Sequence, residues 1–270
     1  MGTPPDRLEV TAILDPKPSY SGTSHDDATA RAMGFRAALI PGAFVYGHVT
    51  RMAVQGWGID WLARGRANVR FRRPVHHGDP LLITRGPLQR DGDGLSAEVT
   101  IVHTGSGETV LAGTIGLADA APQPPAELPV LPVRDPPLEV VPGGLAAGLR
   151  LGSGETLLDG ELVGESLDDF HETEPLYRER RLIHSGCLVR RTMGDVMANL
   201  VLPMPLIFAA VEVQNLAPAP VGGRYRTSAA VTRVWEDRGR HYFDSEEWLI
   251  ADGRLVVARH LRRNLYAMSG

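Results

Sequence analysis

Two intervals recur along this chain with the same length. Gly42 and Pro74 lie 32 residues apart, as do Gly186 and Pro218, and in both places a glycine follows the proline after 4 residues, at Gly78 and Gly222. Around these markers Leu39-Ile40-Pro41-Gly42 opens an apolar stretch, and Ile183-His184-Ser185-Gly186 opens a second one, CLVRRTMGDVMANLVL. A constant offset of 144 residues across helix, strand and turn signals is the trace of a duplicated structural unit. A chain of 270 residues split this way gives two units of about 135 each, near the usual domain size.

The local signals fill in each unit. Leu8 to Leu14 reads as a short strand stopped by Asp-Pro-Lys-Pro, and Asp26 to Met33 as a short helix closed by Gly34. Pro41-Gly42 then opens a helix over Ala43 to Gln55, where proline's missing N–H costs nothing. Phe44, Val45, Val49, Met52, Ala53 and Val54 cover more than one face of it, the pattern of a buried helix. GIDWLARG reads as a turn, and strands are expected at 67–74, 81–88, 95–103 and 109–117. Arg-Asp-Gly-Asp-Gly and Thr-Gly-Ser-Gly-Glu between the last three are hairpin turns. After the second helix the strands are expected at 208–216, 225–236, 241–251 and 255–266. Between the halves, Ala118 to Gly144 holds eight of the 21 prolines and little periodicity. The expected division is therefore 1–120 as the first unit, 121–144 as an extended linker and 145–270 as the second unit.

Composition narrows the function classes. A net charge of −4 gives no electrostatic reason to expect nucleic acid or an anionic membrane surface as partner. No window approaches the roughly 18 uninterrupted apolar residues of a membrane span, and MGTPPDRLEV is not a signal peptide, so a cytoplasmic location is expected. One cysteine, Cys187, rules out an intramolecular disulfide or a cysteine-rich metal site. It falls on the first turn of the second helix, where a buried structural thiol and a nucleophile with lowered pKa are both readings.

Chemistry concentrates between Tyr20 and Gly58, where a His25-Asp26-Asp27 cluster precedes the first long helix. HDDATARAMGFRAALIPGAFVYGHV, followed by a strand ending FRRPVHHGDPLLI, resembles the MaoC-like branch of the hotdog superfamily, the R-specific enoyl-CoA hydratases and acyl dehydratases. The resemblance covers Tyr20 to Thr84 and implies an α+β double hotdog, in which two antiparallel sheets each wrap a long central helix. It further implies an acyl thioester substrate, on CoA or an acyl carrier protein, lying along the central helix. The implied reaction is reversible addition of water to an enoyl thioester without metal or redox cofactor, a lyase reaction. The pattern departs at one place. The family's catalytic Asp stands five residues before the histidine, and that position here is Tyr20, with Gly22-Thr23 in place of Asn-Pro.

Within that frame His25 suits the base because its unperturbed pKa lies near neutrality. Gly42 suits the oxyanion position, since a helix N-terminus offers unpaired N–H groups. Tyr20 can donate through its hydroxyl but is a poor base. Asp27 can face His25 or N-cap its own helix. Phe44 and His48 lie on the central helix as substrate-binding candidates, and for His48 a core or interface role is the leading reading. His76-His77 reads as an exposed turn, with no third ligand at metal spacing. His184, Ser185, Asp169 (at the offset of His25) and His171 make the second unit a polar but differently ordered structural partner. The leading function is a hydratase or dehydratase. The alternatives are a repurposed hotdog protein (a cyclase, an isomerase or a non-catalytic binder of a small hydrophobic metabolite) and a thioesterase. Open sheet edges leave room for a homodimer.

Overall fold

The computed structural model describes residues 2–203 and 206–268. The first half contains β1 (Arg7–Thr11), α1 (Asp27–Ala32), α2 (Gly42–Trp57), α3 (Ile59–Arg64), β2 (Gly65–Phe71), β3 (Pro80–Arg85), β4 (Gln89–Asp91), β5 (Gly94–His103) and β6 (Thr109–Ala118). Then come β7 (Leu138–Glu139), β8 (Arg150–Leu151), β9 (Thr156–Leu157), α4 (Gly160–Asp169), α5 (Pro175–Glu179) and α6 (Ser185–Met197). The chain closes with β10 (Leu200–Val201), β11 (Ile207–Asn215), β12 (Arg224–Asp237), β13 (Arg240–Ala251) and β14 (Leu255–Met268).

Alternating apolar residues on the long strands give one face to the core, and the result is one continuous antiparallel sheet. Its order is β1-β3-β5-β6-β2-β11-β14-β13-β12-β8, so the two expected sheets fuse edge to edge where β2 pairs with β11. Val69 stands opposite Val211 and Ala67 opposite Val213 at that seam, all four buried. The two long helices pack beside each other within the curve of the sheet. In α2 every residue from Ala43 to Thr50 is buried, as its all-round apolar character requires. The repeat is visible in the backbone: Gly78 and Gly222 both take left-handed φ, 84° and 91°, a turn geometry that favours glycine. Each closes a turn after a matching isolated bridge, Leu39 with His76 and Leu182 with Pro220.

Two details differ from the sequence expectation. GIDWLARG is not a turn but α3, whose Trp61 is fully buried and stacks on Trp57 with ring centroids 5.8 Å apart. His76 is not exposed: it is 5% accessible, its Nδ1 lies 3.0 Å from the Ala38 carbonyl, and its N–H donates to Asp79. The proline-rich stretch packs on the second half, through Ser153 N–H to Leu131 O at 2.9 Å and the Ser228 hydroxyl to Pro129 O at 2.8 Å.

The seam strand has one close approach. A Cβ on Gly113, in β6, would stand 1.9 Å from the Asn68 carbonyl oxygen and 2.8 Å from Val69 Cα, both backbone atoms of β2. Gly113→Ala must therefore push β2 off its neighbour. The expected outcome is a loss of about 1–3 kcal/mol, read as a lower midpoint in denaturant.

Candidate active site

The polar knot before α2 is built from local hydrogen bonds. Pro18–Tyr20 forms a single 3₁₀ turn, after which the Thr23 hydroxyl donates to Tyr20 O at 2.7 Å and accepts the His25 N–H at 3.1 Å. Asp26, not Asp27, caps α1: its carboxylate accepts from Ala28 N–H at 3.3 Å and from the Thr29 hydroxyl at 2.9 Å. Together these contacts hold the His25 ring against the chain leading into α2. There its Nδ1 lies 2.8 Å from Leu39 O. A carbonyl can only accept, so Nδ1 carries the proton and the neutral ring presents a lone pair at Nε2. The ring's hydrogen bond among the described residues is the one at Nδ1. Burial, supported by the charge of Arg190 and opposed by the Leu39 contact, holds the imidazole below its usual pKa. His25 is thus a neutral acceptor near pH 7.

Tyr20 is 7% exposed and meets His25 edge-on, with ring centroids 5.4 Å apart. Burial pushes its phenol above the ordinary value, against the pull of Arg190 and Lys17, so the hydroxyl keeps its proton. Two of the charges around it, Arg190 and Asp169, come from the other half of the chain. Asp169, at the end of α4, accepts from Arg190 of α6 at 2.8 Å and also pairs with Lys17. Arg190 lies over the Phe44 ring, 5.5 Å from its centroid, and Phe44 packs on Phe170 at 4.6 Å. The site therefore needs both repeats: Tyr20, His25 and Phe44 from the first, Asp169, Phe170 and Arg190 from the second.

Two expected site residues stand differently. Asp27 is exposed and turned to scaffolding, accepting the Ala38 N–H at 2.7 Å and pairing with Arg31 at 3.1 Å; the structure does not bring it to His25. Its place as first residue of α1 explains this, because Asp26 already occupies the capping position. Gly42 does open α2, ahead of the first intrahelical bond from Phe44 N–H to Pro41 O. However, the room left by its missing Cβ is filled by Phe208, whose Cδ1 would lie 2.7 Å from that atom, and by Phe71 at 3.4 Å. His48 is 8% exposed, one turn beyond Phe44, and its ring is neutral, driven down to about 3 by burial and by Arg51. Cys187 is held as a thiol, its pKa pushed up to about 12 by burial.

A second polar group is read only in part from the sequence. Glu172, 3% exposed, faces Arg51 of α2 at 3.3 Å and His184 Nε2 at 3.3 Å, while His184 Nδ1 accepts the Gly186 N–H at 3.0 Å and caps α6. The sequence singles out His184, with Ser185, as a candidate second polar site before α6, and the offset of 144 carries His25 onto nearby Asp169; Glu172 and Arg51 were missed. No group of three or more His, Cys, Asp or Glu able to hold a metal ion exists among the described residues, and no helix there is long and apolar enough to cross a membrane.

No protein-family model matches the sequence, and no curated protein matches it either. Solved structures do. A protein named as a MaoC domain dehydratase from Chloroflexus aurantiacus J-10-fl superposes with a TM-score of 0.63 at 16% identity, over 93% of this chain and 90% of that one. A MaoC-like dehydratase gives 0.61 at 13% identity, over 97% and 98%. A conserved protein of Mycobacterium tuberculosis described as having a double hotdog fold gives 0.61 at 15% identity, over 99% and 97%. The fold is a double hotdog. In this double hotdog the site around His25 lies at the meeting of the two repeats, beside the start of the first central helix.

Proposed function

We propose that the protein acts on an acyl thioester and adds water to, or removes it from, the bond next to the thioester carbonyl. The observation that carries this reading is the pairing of a neutral His25, with its lone pair at Nε2, and a protonated Tyr20 on its edge. In the hydration direction His25 Nε2 takes a proton from water as the hydroxide bonds to C3 of a trans-2-enoyl thioester. The electrons of the double bond move toward the carbonyl, and C2 takes the Tyr20 proton. His25 returns its proton to Tyr20, leaving the 3-hydroxyacyl thioester and both residues as they began. Dehydration is the same path reversed. Tyr20 so takes the acid role of the missing carboxylate, with Arg190 and Lys17 steadying the transient phenolate.

Crotonyl-CoA tests the reading directly. Time-dependent loss of the enoyl absorbance with formation of 3-hydroxybutyryl-CoA is the expected result. No hydration of crotonyl-CoA or of longer enoyl-CoAs would sink it.

A further inference from the structure

On the far side of the chain that leads into α2 lies a cleft that shares no lining residue with the site around His25. It measures about 400 Å³, within the roughly 300–1,000 Å³ of small-molecule pockets. Its walls come from the turn after α1, the loop between β2 and β3, and the hairpin between β5 and β6. The stretch from Ala38 to Ile40 divides the two places. Leu39 faces the His25 side, its N–H donating to Ser24 O at 2.8 Å and its carbonyl meeting the His25 ring. Its neighbours face the other way: Ala38 O meets the His76 ring, and Ile40 N–H donates to Val75 O at 2.8 Å.

Most polar groups of the cleft are matched within the protein. Buried Asp79 accepts the His76 N–H at 2.9 Å and pairs with Arg36. His103 Nδ1 accepts the Ser106 N–H at 3.0 Å, so in the neutral ring Nε2 carries the hydrogen, 3.5 Å from Asp79. His76 is different. It is more than nine-tenths buried, and its Nδ1–H is spent on Ala38 O at 3.0 Å, which leaves the lone pair of the neutral ring at Nε2. That contact is the ring's hydrogen bond among the described residues, so Nε2 is left to accept from a ligand. At the mouth, Arg73 gives Nε to Glu108 at 3.1 Å, with the two side chains 61% and 57% exposed. An ion pair in that much solvent contributes little, so a ligand carboxylate can take the place of Glu108 on the guanidinium. Arg36 and Arg73 are balanced by Asp79 and Glu108, which would repel a dianion more than a single negative charge. Phe35, Pro74 and Val110 add an apolar wall.

We propose that this cleft is a second ligand site, which takes a 2-hydroxycarboxylate with an apolar substituent. The carboxylate pairs with Arg73, the hydroxyl donates to His76 Nε2, and the substituent rests on Phe35. The inference does not rest on the hydration reading and survives its failure. Calorimetric titration of the full chain with mandelate, phenylacetate and 1-phenyl-1,2-ethanediol tests it, since the second lacks the hydroxyl and the third the charge. Mandelate should bind at least about threefold tighter than phenylacetate, the factor of one neutral hydrogen bond, and at least about tenfold tighter than the diol. His76→Asn keeps an N–H for Ala38 O but has no atom in place of Nε2, so it should bind mandelate and phenylacetate alike. Arg73→Gln, at an exposed position, should weaken mandelate about tenfold and leave the diol unchanged. Saturating coenzyme A should leave the mandelate affinity as it is. No binding of mandelate, equal binding of the three compounds, an undiminished preference in His76→Asn, or competition by coenzyme A would each overturn the proposal. If His76→Asn does not fold, the wild-type series and Arg73→Gln still decide.

Discussion

Replacing His25 with alanine is expected to cut hydration of crotonyl-CoA roughly 100- to 10,000-fold in kcat, the range for losing a positioned general base. The change should fall on kcat more than on KM, because the imidazole acts on the reacting water rather than on the carrier. Tyr20→Phe removes the proposed acid with little change in shape and should cost a similar factor. The double variant should be little worse than either single one, since the two groups act in one proton circuit. The pH profile follows from the direction of each shift. His25 works only when unprotonated, and burial lowers its pKa, so the rate should rise through a pKa below 6.5 and be level at neutral pH. Tyr20 works only when protonated, and burial raises its pKa, so the alkaline fall should come above 10. Initial rates of wild type and both variants between pH 5 and about 10.5 check this. An unchanged rate in His25→Ala, with the fold intact by circular dichroism, would remove His25 from the mechanism.

The architecture was legible because its signals are local. Period-two apolar runs, hairpin glycines and the buried pattern of α2 depend on neighbours in sequence, and β2, β3, β5, β6 and β11 to β14 lie within a few residues of where those patterns put them, whereas the short strands β4 and β7 to β10 were not expected. What escaped notice depends on distant partners. Six residues were too few to mark α3 as a helix, and it is held by Trp61 packing inside the core. His25 and Tyr20 could be singled out from their own segment, but Arg190 and Asp169 reach them across about 150 residues of chain, through the packing of α4 and α6 on the first repeat. No short-range pattern encodes that. The Asp26 and Asp27 roles were misjudged by one residue, the ordinary uncertainty at a helix end, and here that one residue separates a cap from a candidate catalyst.

The same cross-repeat packing predicts the largest stability effect. Burial alone would raise the pKa of Glu172, yet the contacts with His184, the Glu174 N–H and Arg51 overcome it and hold the carboxyl at about 2. Arg51 also donates to the Phe170 and His171 carbonyls, so one guanidinium ties the first central helix to the turn before α5. Arg51→Met leaves a buried carboxylate with one partner fewer, and a loss of about 3–5 kcal/mol is expected. Arg51→Met combined with Glu172→Leu should recover much of it, because an apolar pair of similar size has no charge to desolvate. The acid dependence has a defined sign. With a folded pKa of about 2 and an unfolded value of about 4.3, Glu172 stabilises the fold fully above that unfolded value and loses its contribution as pH falls toward 2. Urea unfolding of wild type and Glu172→Gln between pH 6 and about 2.5 reads this out. Wild type should lose more stability than the variant over that interval, by on the order of 2–3 kcal/mol. Parallel curves would mean that Glu172 is not held ionised, and that the two repeats are joined by the β2–β11 seam and apolar packing alone.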